Sequence, residues 1–327
     1  MSPGLAYRVA FTGKEQAEFI SCERPNQPLD PQEVLGRTLV SLVSAGTELA
    51  GYENATPEQP VFPGYAAIFE VEAVGQNVTD LQPGQAAFAM GRHQSFQRVK
   101  RSEVLPVPRG LPPEQAVFAR LLNVTHSTLV TTTARPPSKV LVSGLGLVGH
   151  LGAKLFASCG YEVLGVDPVA SRGELLSGAG LHGIAAAAPL GDPEWQDQVD
   201  LVLECSGHEK AVLDGCRIVR KGGEVVLVGV PWKRRTEIFS HELLHAVFHK
   251  YVVLRSGWEW EVPRHPVDFV KNSLWGNMAG ALRWIAAGRI QVEGLSALTD
   301  PRAAQAAYQS LLKQTCPKLA VVFDWRT

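Results

Sequence analysis

The chain has 327 residues, 45% hydrophobic and 19% charged, with 31 basic against 32 acidic side chains and a formal net charge of −1. That length suits two domains better than one core. The balanced charge, with no basic tail or charged block, argues against nucleic acid or an anionic membrane surface as partner. The opening residues, MSPGLAYRVAFTGKEQ, lack a basic stretch followed by an apolar run, so no secretory signal is expected. No apolar run reaches the ~18 residues of a membrane span. Five scattered cysteines, Cys22, Cys159, Cys205, Cys216 and Cys316, fit reduced thiols in the cytoplasm.

Residues 1–120 hold short apolar or alternating runs (TLVSLVSAG, AAIFEVEAVG, QAAFAM, SFQRVK) separated by Pro- and Gly-rich turns. Strands at this spacing predict a compact β-barrel-like domain. Residues 121–257 change character. KVLVSG, YEVLGVD, VDLVLECSG, GGEVVLVGV and KYVVLRSG are Val/Leu-rich and bounded by Gly or Asp, with helical stretches between several of them. That alternation predicts a parallel sheet covered on both faces. Residues 258–327 read as helix-rich, with an Asp-Pro helix start at Asp300 and a closing strand in KLAVVFDW. Such a tail buries little surface alone and is expected to return to the N-terminal domain.

Gly144, Leu145, Gly146, Leu147, Val148 and Gly149 form a G-x-G-x-x-G turn between a predicted strand and an apolar helix. The first glycine permits the tight turn, the second lets backbone approach a pyrophosphate, and the third lets helix and strand pack closely. The helix N-terminus offers N–H groups and partial positive charge to phosphate. A second strand ends at Asp167, near the ~20-residue interval expected for a ribose-binding acid. A carboxylate there accepts bonds from ribose hydroxyls and repels a 2′-phosphate, which points to NAD(H) over NADP(H). Arg172 either flanks the adenosine or is a solvated helix residue. Ser206, after the next strand, joins the expected cofactor contacts.

The order of SAGTEL, PGYAAIFEVEAVG, LQPGQAAF, LPPEQAVFA, GLGLVG, GVD and GGEVVLVGV resembles the medium-chain dehydrogenase/reductase superfamily, the fold type of the zinc alcohol dehydrogenases. The resemblance implies an α/β protein: a Rossmann doubly wound parallel sheet plus a GroES-like β-barrel catalytic domain formed by both chain ends, with the active site in the cleft. It implies that Val228 to Val230 contact the nicotinamide end and that Thr125 and His126 lie near the nicotinamide side. It also implies a homodimer paired through KYVVLRS. SAGTEL and PGY are locally similar to the bacteriochlorophyllide a dehydrogenase group, from whose pattern this chain departs at Ala66, where those relatives often keep Glu.

Zinc members of the superfamily carry ligands where this chain has Ala45, Tyr65 and Arg120 or Leu121. A tetrahedral zinc needs several N, S or O donors, so no metal is expected. Side chains must then manage the substrate's oxygen-bound proton. Thr47 matches the family's substrate-binding hydroxyl. Tyr65 either exchanges a proton or fills the vacated metal volume. Glu48 corresponds to a carboxylate behind the metal, with Arg120 as an expected partner. His93 is either an acid/base or a solvated loop histidine. Trp258, Trp260 and Trp275 either wall a pocket for a cyclic substrate or form core. The leading expectation is an NAD-linked enzyme interconverting a secondary alcohol and a ketone. A metal-free reductase of enones or quinones, and a non-catalytic NAD(H)-binding protein, stay open.

Overall fold

The computed structural model describes residues 5–176 and 181–326. The chain divides into two units: Met1–Arg120 with Ala279–Thr327, and Leu121–Met278. In the first unit, β1 (Leu5–Gly13) and β2 (Gln16–Glu23) form an antiparallel hairpin. Then come β3 (Glu33–Leu42), α1 (Ala45–Asn54), β4 (Ala67–Val74), β5 (Ala86–Ala89), β6 (Phe96–Lys100), β7 (Leu105–Pro106) and the short α2 (Pro113–Ala116), while α3 (Ala119–Thr131) crosses the boundary and belongs to the second unit from Leu121 on. The second unit holds β8 (Lys139–Ser143), α4 (Leu147–Ser158), β9 (Glu162–Val166), α5 (Ala170–Glu174), β10 (Gly183–Ala185), β11 (Val199–Glu204), α6 (Glu209–Ile218), β12 (Val219–Leu227), α7 (Ser240–Lys250) and β13 (Val253–Ser256). The chain closes with α8 (Leu274–Ala286), β14 (Ser296–Thr299), α9 (Ala304–Leu312) and β15 (Ala320–Asp324).

The sheet of the first unit runs β14-β15-β3-β4-β5-β7, with β6 also on β3. β3 is its hub: Thr38 to Leu42 are all buried, and the two polar residues among them, Thr38 and Ser41, find hydrogen-bond partners inside. β15 lies antiparallel to β3, pairing Val322 with Leu42 and Asp324 with Val40. The last strand thus completes the sheet begun near the N-terminus, as the return of the tail required.

The second sheet is parallel, in the order β10-β9-β8-β11-β12-β13. Successive side chains on a strand point to opposite faces, so strands covered on both sides need apolar residues at every position. Val140 and Val142 join one core cluster while Leu141, between them, joins the other. Leu201 and Leu203 alternate with Val202, and Val226 and Val228 with Val225, in the same way. This strand order reverses between β8 and β11, and such a switch point opens a crevice at the strands' carboxyl ends.

The return to the first unit begins at Ala279, not at residue 258. Polar contacts retain the intervening segment: the Asn123 amide donates to buried Glu259 at 2.5 Å, and Thr131 donates to Glu261 at 2.9 Å. These contacts span 136 and 130 residues and leave no mark in local periodicity. Between β13 and β14 the helix expected of this tail is α8. Among the described residues, no helix is long and apolar enough to cross a membrane.

Candidate active site

The two turns at the switch point build a cradle within the second unit. Gly144, after β8, has φ +87°, and a Cβ there would stand 2.8 Å from the Ser206 nitrogen, after β11. The turns therefore touch. A Cβ on Gly149 would lie 1.8 Å from the Gly144 carbonyl oxygen, so only glycine lets α4 start so close to the strand. A Cβ on Gly146 would meet nothing within 4 Å, which leaves an open approach to the backbone. Gly146 is the N-cap of α4 and has no side chain to cap it, so the first-turn N–H groups at Leu147 and Val148 face no internal competitor. This cradle fits the pyrophosphate of a nicotinamide dinucleotide.

Asp167 is buried at the end of β9. Its Oδ2 accepts from the Leu145 N–H at 2.8 Å and its Oδ1 from the Val169 N–H at 2.8 Å. Arg172 donates to Oδ2 at 3.2 Å. The acid that would meet the ribose therefore also braces the glycine turn, and Arg172 is its ion-pair partner rather than a solvated residue. Leu145 differs from the expectation of a cofactor contact: its side chain is fully buried and its N–H goes to Asp167. Thr125 is buried too, with its methyl facing Gly152 of α4, where a Cβ would be only 2.8 Å away. It packs α3 against α4. Val228 donates its N–H to the Glu204 carbonyl at 2.8 Å, whereas Val230 is exposed.

Sequence reasoning missed Glu204. Its buried carboxylate accepts from the Ser206 N–H at 2.8 Å, the Gly207 N–H at 3.0 Å and the Ser206 hydroxyl. Burial pushes its pKa up, and these donors pull it back. It fixes the turn that carries Ser206. The acid ending VDLVLE just before Cys-Ser-Gly was the available sign.

In the first unit, SAGTEL is a strand-to-helix corner, with Ser44 as the N-cap of α1. The Tyr65 hydroxyl donates to Ser44 Oγ at 2.6 Å and stands 3.3 Å from Thr47 Oγ1. Thr47 is exposed and Tyr65 half-buried, so this hydroxyl trio runs from the surface inward. The Arg120 guanidinium lies over the Tyr65 ring, 4.5 Å from its centroid. Burial raises the phenol's pKa, and Arg120 partly offsets that rise. The net direction keeps the proton on Tyr65 at neutral pH.

Glu48 and His93 lie deeper. Glu48 Oε1 accepts from the Ser44 N–H at 2.9 Å, while Oε2 faces His93 Nε2 at 3.0 Å and accepts from the Tyr308 hydroxyl at 2.5 Å. His93 Nδ1 meets Ser41 Oγ at 2.8 Å, and Ser41 accepts from the Trp325 indole N–H at 2.9 Å. The bonds are self-consistent when Nε2 carries the proton and Ser41 donates to Nδ1. His93 is 0% exposed, so it is neither a solvated loop histidine nor a side chain open to substrate. The carboxylate's bonds come from Ser44, His93 and Tyr308, while Arg120, its expected partner, is stacked on Tyr65. Tyr308 and Trp325 are the other residues that sequence reasoning missed.

The aromatic trio separates. Trp275 is buried, whereas Trp258 and Trp260 are exposed just beyond β13. His126, on α3, is buried, and burial lowers its pKa.

The donor set does not suit a catalytic zinc. Ala45 has no donor, Tyr65 keeps its proton, Arg120 is a cation, and His93 and Glu48 are committed to each other. Among the described residues no three His, Cys, Asp or Glu side chains converge as metal ligands.

One unit carries a switch-point dinucleotide cradle and the other a sheet closed by both chain ends, a combination that the two-unit dehydrogenases share. The family model described as zinc-binding dehydrogenase matches residues 147–258. The chain is 26% identical to an L-threonine 3-dehydrogenase of Pyrococcus horikoshii (strain ATCC 700860 / DSM 12428 / JCM 9974 / NBRC 100139 / OT-3), over 74% of this chain and 81% of that protein. It is 24% identical to an alcohol dehydrogenase of Geobacillus stearothermophilus, over 64% and 76%. Its fold superposes on galactitol-1-phosphate dehydrogenase from Escherichia coli with a TM-score of 0.82 at 17% identity, covering 97% and 99% of the two chains. An NADP-bound putative zinc-binding dehydrogenase from Sinorhizobium meliloti 1021 superposes with a TM-score of 0.78 at 18% identity, covering 98% and 99%. Its fold is that of the medium-chain dehydrogenase/reductases, with a Rossmann unit and a GroES-like unit, and about a third of the chain matches the zinc-binding dehydrogenase family.

Proposed function

We propose that this protein is an NAD(H)-linked oxidoreductase that interconverts a secondary alcohol and a ketone without zinc. The carrying observation is the Tyr65 hydroxyl, held by Ser44 at 2.6 Å, next to Thr47 at 3.3 Å, and kept protonated by burial. When bound, the nicotinamide supplies or takes the hydride at carbon. The chain's task is the proton at oxygen. In the reducing direction, Tyr65 would give its proton to the carbonyl oxygen, and the alcohol leaves. Thr47 donates a second hydrogen bond to that oxygen. The phenolate left behind is stabilised by the Ser44 hydroxyl and the Arg120 guanidinium, and it regains a proton from water along the Thr47 side. Alcohol oxidation is the reverse.

Two further points belong to this reading. Asp167 favours NAD(H), because a 2′-phosphate would meet a buried carboxylate. Arg172 already answers that carboxylate and is not a free phosphate partner. The substrate is a small molecule with a ring system, supported by exposed Val230, Trp232, Trp258 and Trp260 beyond the carboxyl ends of β12 and β13. The protein is also proposed to be a homodimer through β13, the last strand in its sheet, because an edge strand with exposed Val253 invites pairing.

The test is NADH oxidation with a panel of cyclic ketones, before and after dialysis against a chelator. The expected result is ketone-dependent turnover that survives the chelator and falls by more than ~10-fold in Tyr65→Phe. Turnover abolished by the chelator and restored by Zn²⁺ would overturn the proposal, as would undiminished turnover in the variant.

A further inference from the structure

α7 places three histidines, His241, His245 and His249, at successive turns, and all three are exposed. Residues four apart on a helix lie on one face. The opposite face is spoken for: Leu243, Ala246 and Val247 pack into the core beneath the sheet. The imidazoles therefore form an outward row. The ring centroids of His245 and His249 are 4.2 Å apart, and those of His241 and His245 are 6.1 Å apart.

Two imidazoles on one tetrahedral ion, each at about 2.05 Å, put their donor nitrogens about 3.3 Å apart and their ring centroids about 5 Å apart. The two observed spacings bracket that value, and exposed side chains reach it by small rotations about χ1 and χ2. The ion's charge is also met favourably. His249 lies in the last turn of α7, where unpaired carbonyls give the helix end a partial negative charge. The basic neighbour Lys250 is turned away to Asp197, at 2.5 Å.

We propose that this row binds one divalent transition-metal ion of the class that imidazole suits, Zn²⁺, Ni²⁺ or Cu²⁺. His245 is the shared ligand, paired with His249 or with His241. The site is separate from the hydroxyl trio at Tyr65 and lies in the other unit of the chain. Two protein ligands leave the remaining coordination positions open to water or to donors from a second copy.

The test is calorimetric titration of the full-length, untagged protein with NiCl₂. His245→Gln is expected to weaken binding by about tenfold or more, because it leaves no two histidines four residues apart. His249→Gln retains the His241–His245 pair and falls between the two. His182→Gln, which alters the exposed imidazole beside Glu194, leaves the titration unchanged. One ion per chain, or one shared by two chains, both support the assignment when the binding depends on His245. A His245→Gln protein that titrates like the parent, or a parent that takes up no Ni²⁺ at millimolar concentration, overturns it. Circular dichroism of each variant separates lost binding from lost folding.

Discussion

Glu48 Oε2 stands 3.0 Å from His93 Nε2 and also accepts the Tyr308 hydroxyl, so one buried carboxylate oxygen holds together residues from α1, from the loop before β6 and from α9. Where a zinc enzyme of this superfamily would place a metal nearby, this chain has an internal hydrogen-bonded chain from Trp325 through Ser41 and His93 to Glu48. Its role is to fix the Ser44 corner on which Tyr65 rests, since Glu48 also takes the Ser44 N–H.

Tyr65→Phe removes one oxygen atom and little volume. Turnover should drop by more than ~10-fold with KM changed far less, because the lost interaction belongs to the reacting oxygen. Steady-state kinetics of ketone reduction checks this. The phenol's pKa is raised, so the donor form persists through neutral pH. The reductive kcat of the parent should decline only on the alkaline side.

Tyr308→Phe strips a donor from a buried carboxylate. A loss of about 1–3 kcal/mol is expected in urea unfolding followed by far-UV dichroism. His93→Ala should cost at least as much, because it strands Glu48 and Ser41 together. It should lower turnover through the misplaced Ser44 corner. A His93→Ala protein of unchanged midpoint would contradict the bonding described here.

Asp167→Ala should weaken NADH binding and reduce discrimination against NADPH, read by fluorescence titration of both. It also frees the Leu145 N–H and removes the partner of Arg172, so the glycine turn should loosen. Equal NADH affinity in variant and parent would count against Asp167 as the ribose acid.

His150 follows the glycine motif and is 0% exposed, with no hydrogen-bond partner at either ring nitrogen. Burial, with Lys154 adding to it, drives its pKa down to about 3. A histidine whose folded pKa lies below its unfolded value of about 6.5 leaves stability intact above 6.5 and drains it as pH falls toward 3. Linkage puts the loss at up to about 4–5 kcal/mol over that window. His150→Leu should flatten this acid limb and stabilise the neutral protein by about 1–2 kcal/mol, since no buried N–H is left unanswered. Thermal melts from pH 7 to pH 4 compare the two.

The dinucleotide unit was legible because its signals are local. GLGLVG must turn, meet phosphate and pack within six residues, and the strands declare themselves by being apolar at every position. The Tyr65 position was legible by resemblance, since a phenol stands where a ligand is expected. The surroundings of Glu48 were not. Tyr308 and Trp325 reach Glu48 and Ser41 across 260 and 284 residues of sequence, and no short-range pattern ties such partners together. His93 read as a loop residue because its flanks, Arg92 and Gln94, are polar. Tertiary packing buried it nonetheless.

The antiparallel seating of β15 on β3 has a consequence for biosynthesis. The strand near the amino end waits, one edge open, while more than two hundred residues are translated, including the entire nucleotide-binding unit. That middle unit can therefore mature first on the ribosome, whereas the first unit closes only after β15 has cleared the exit tunnel. A chaperone that shields the waiting β3 edge during this interval would raise the yield of active protein.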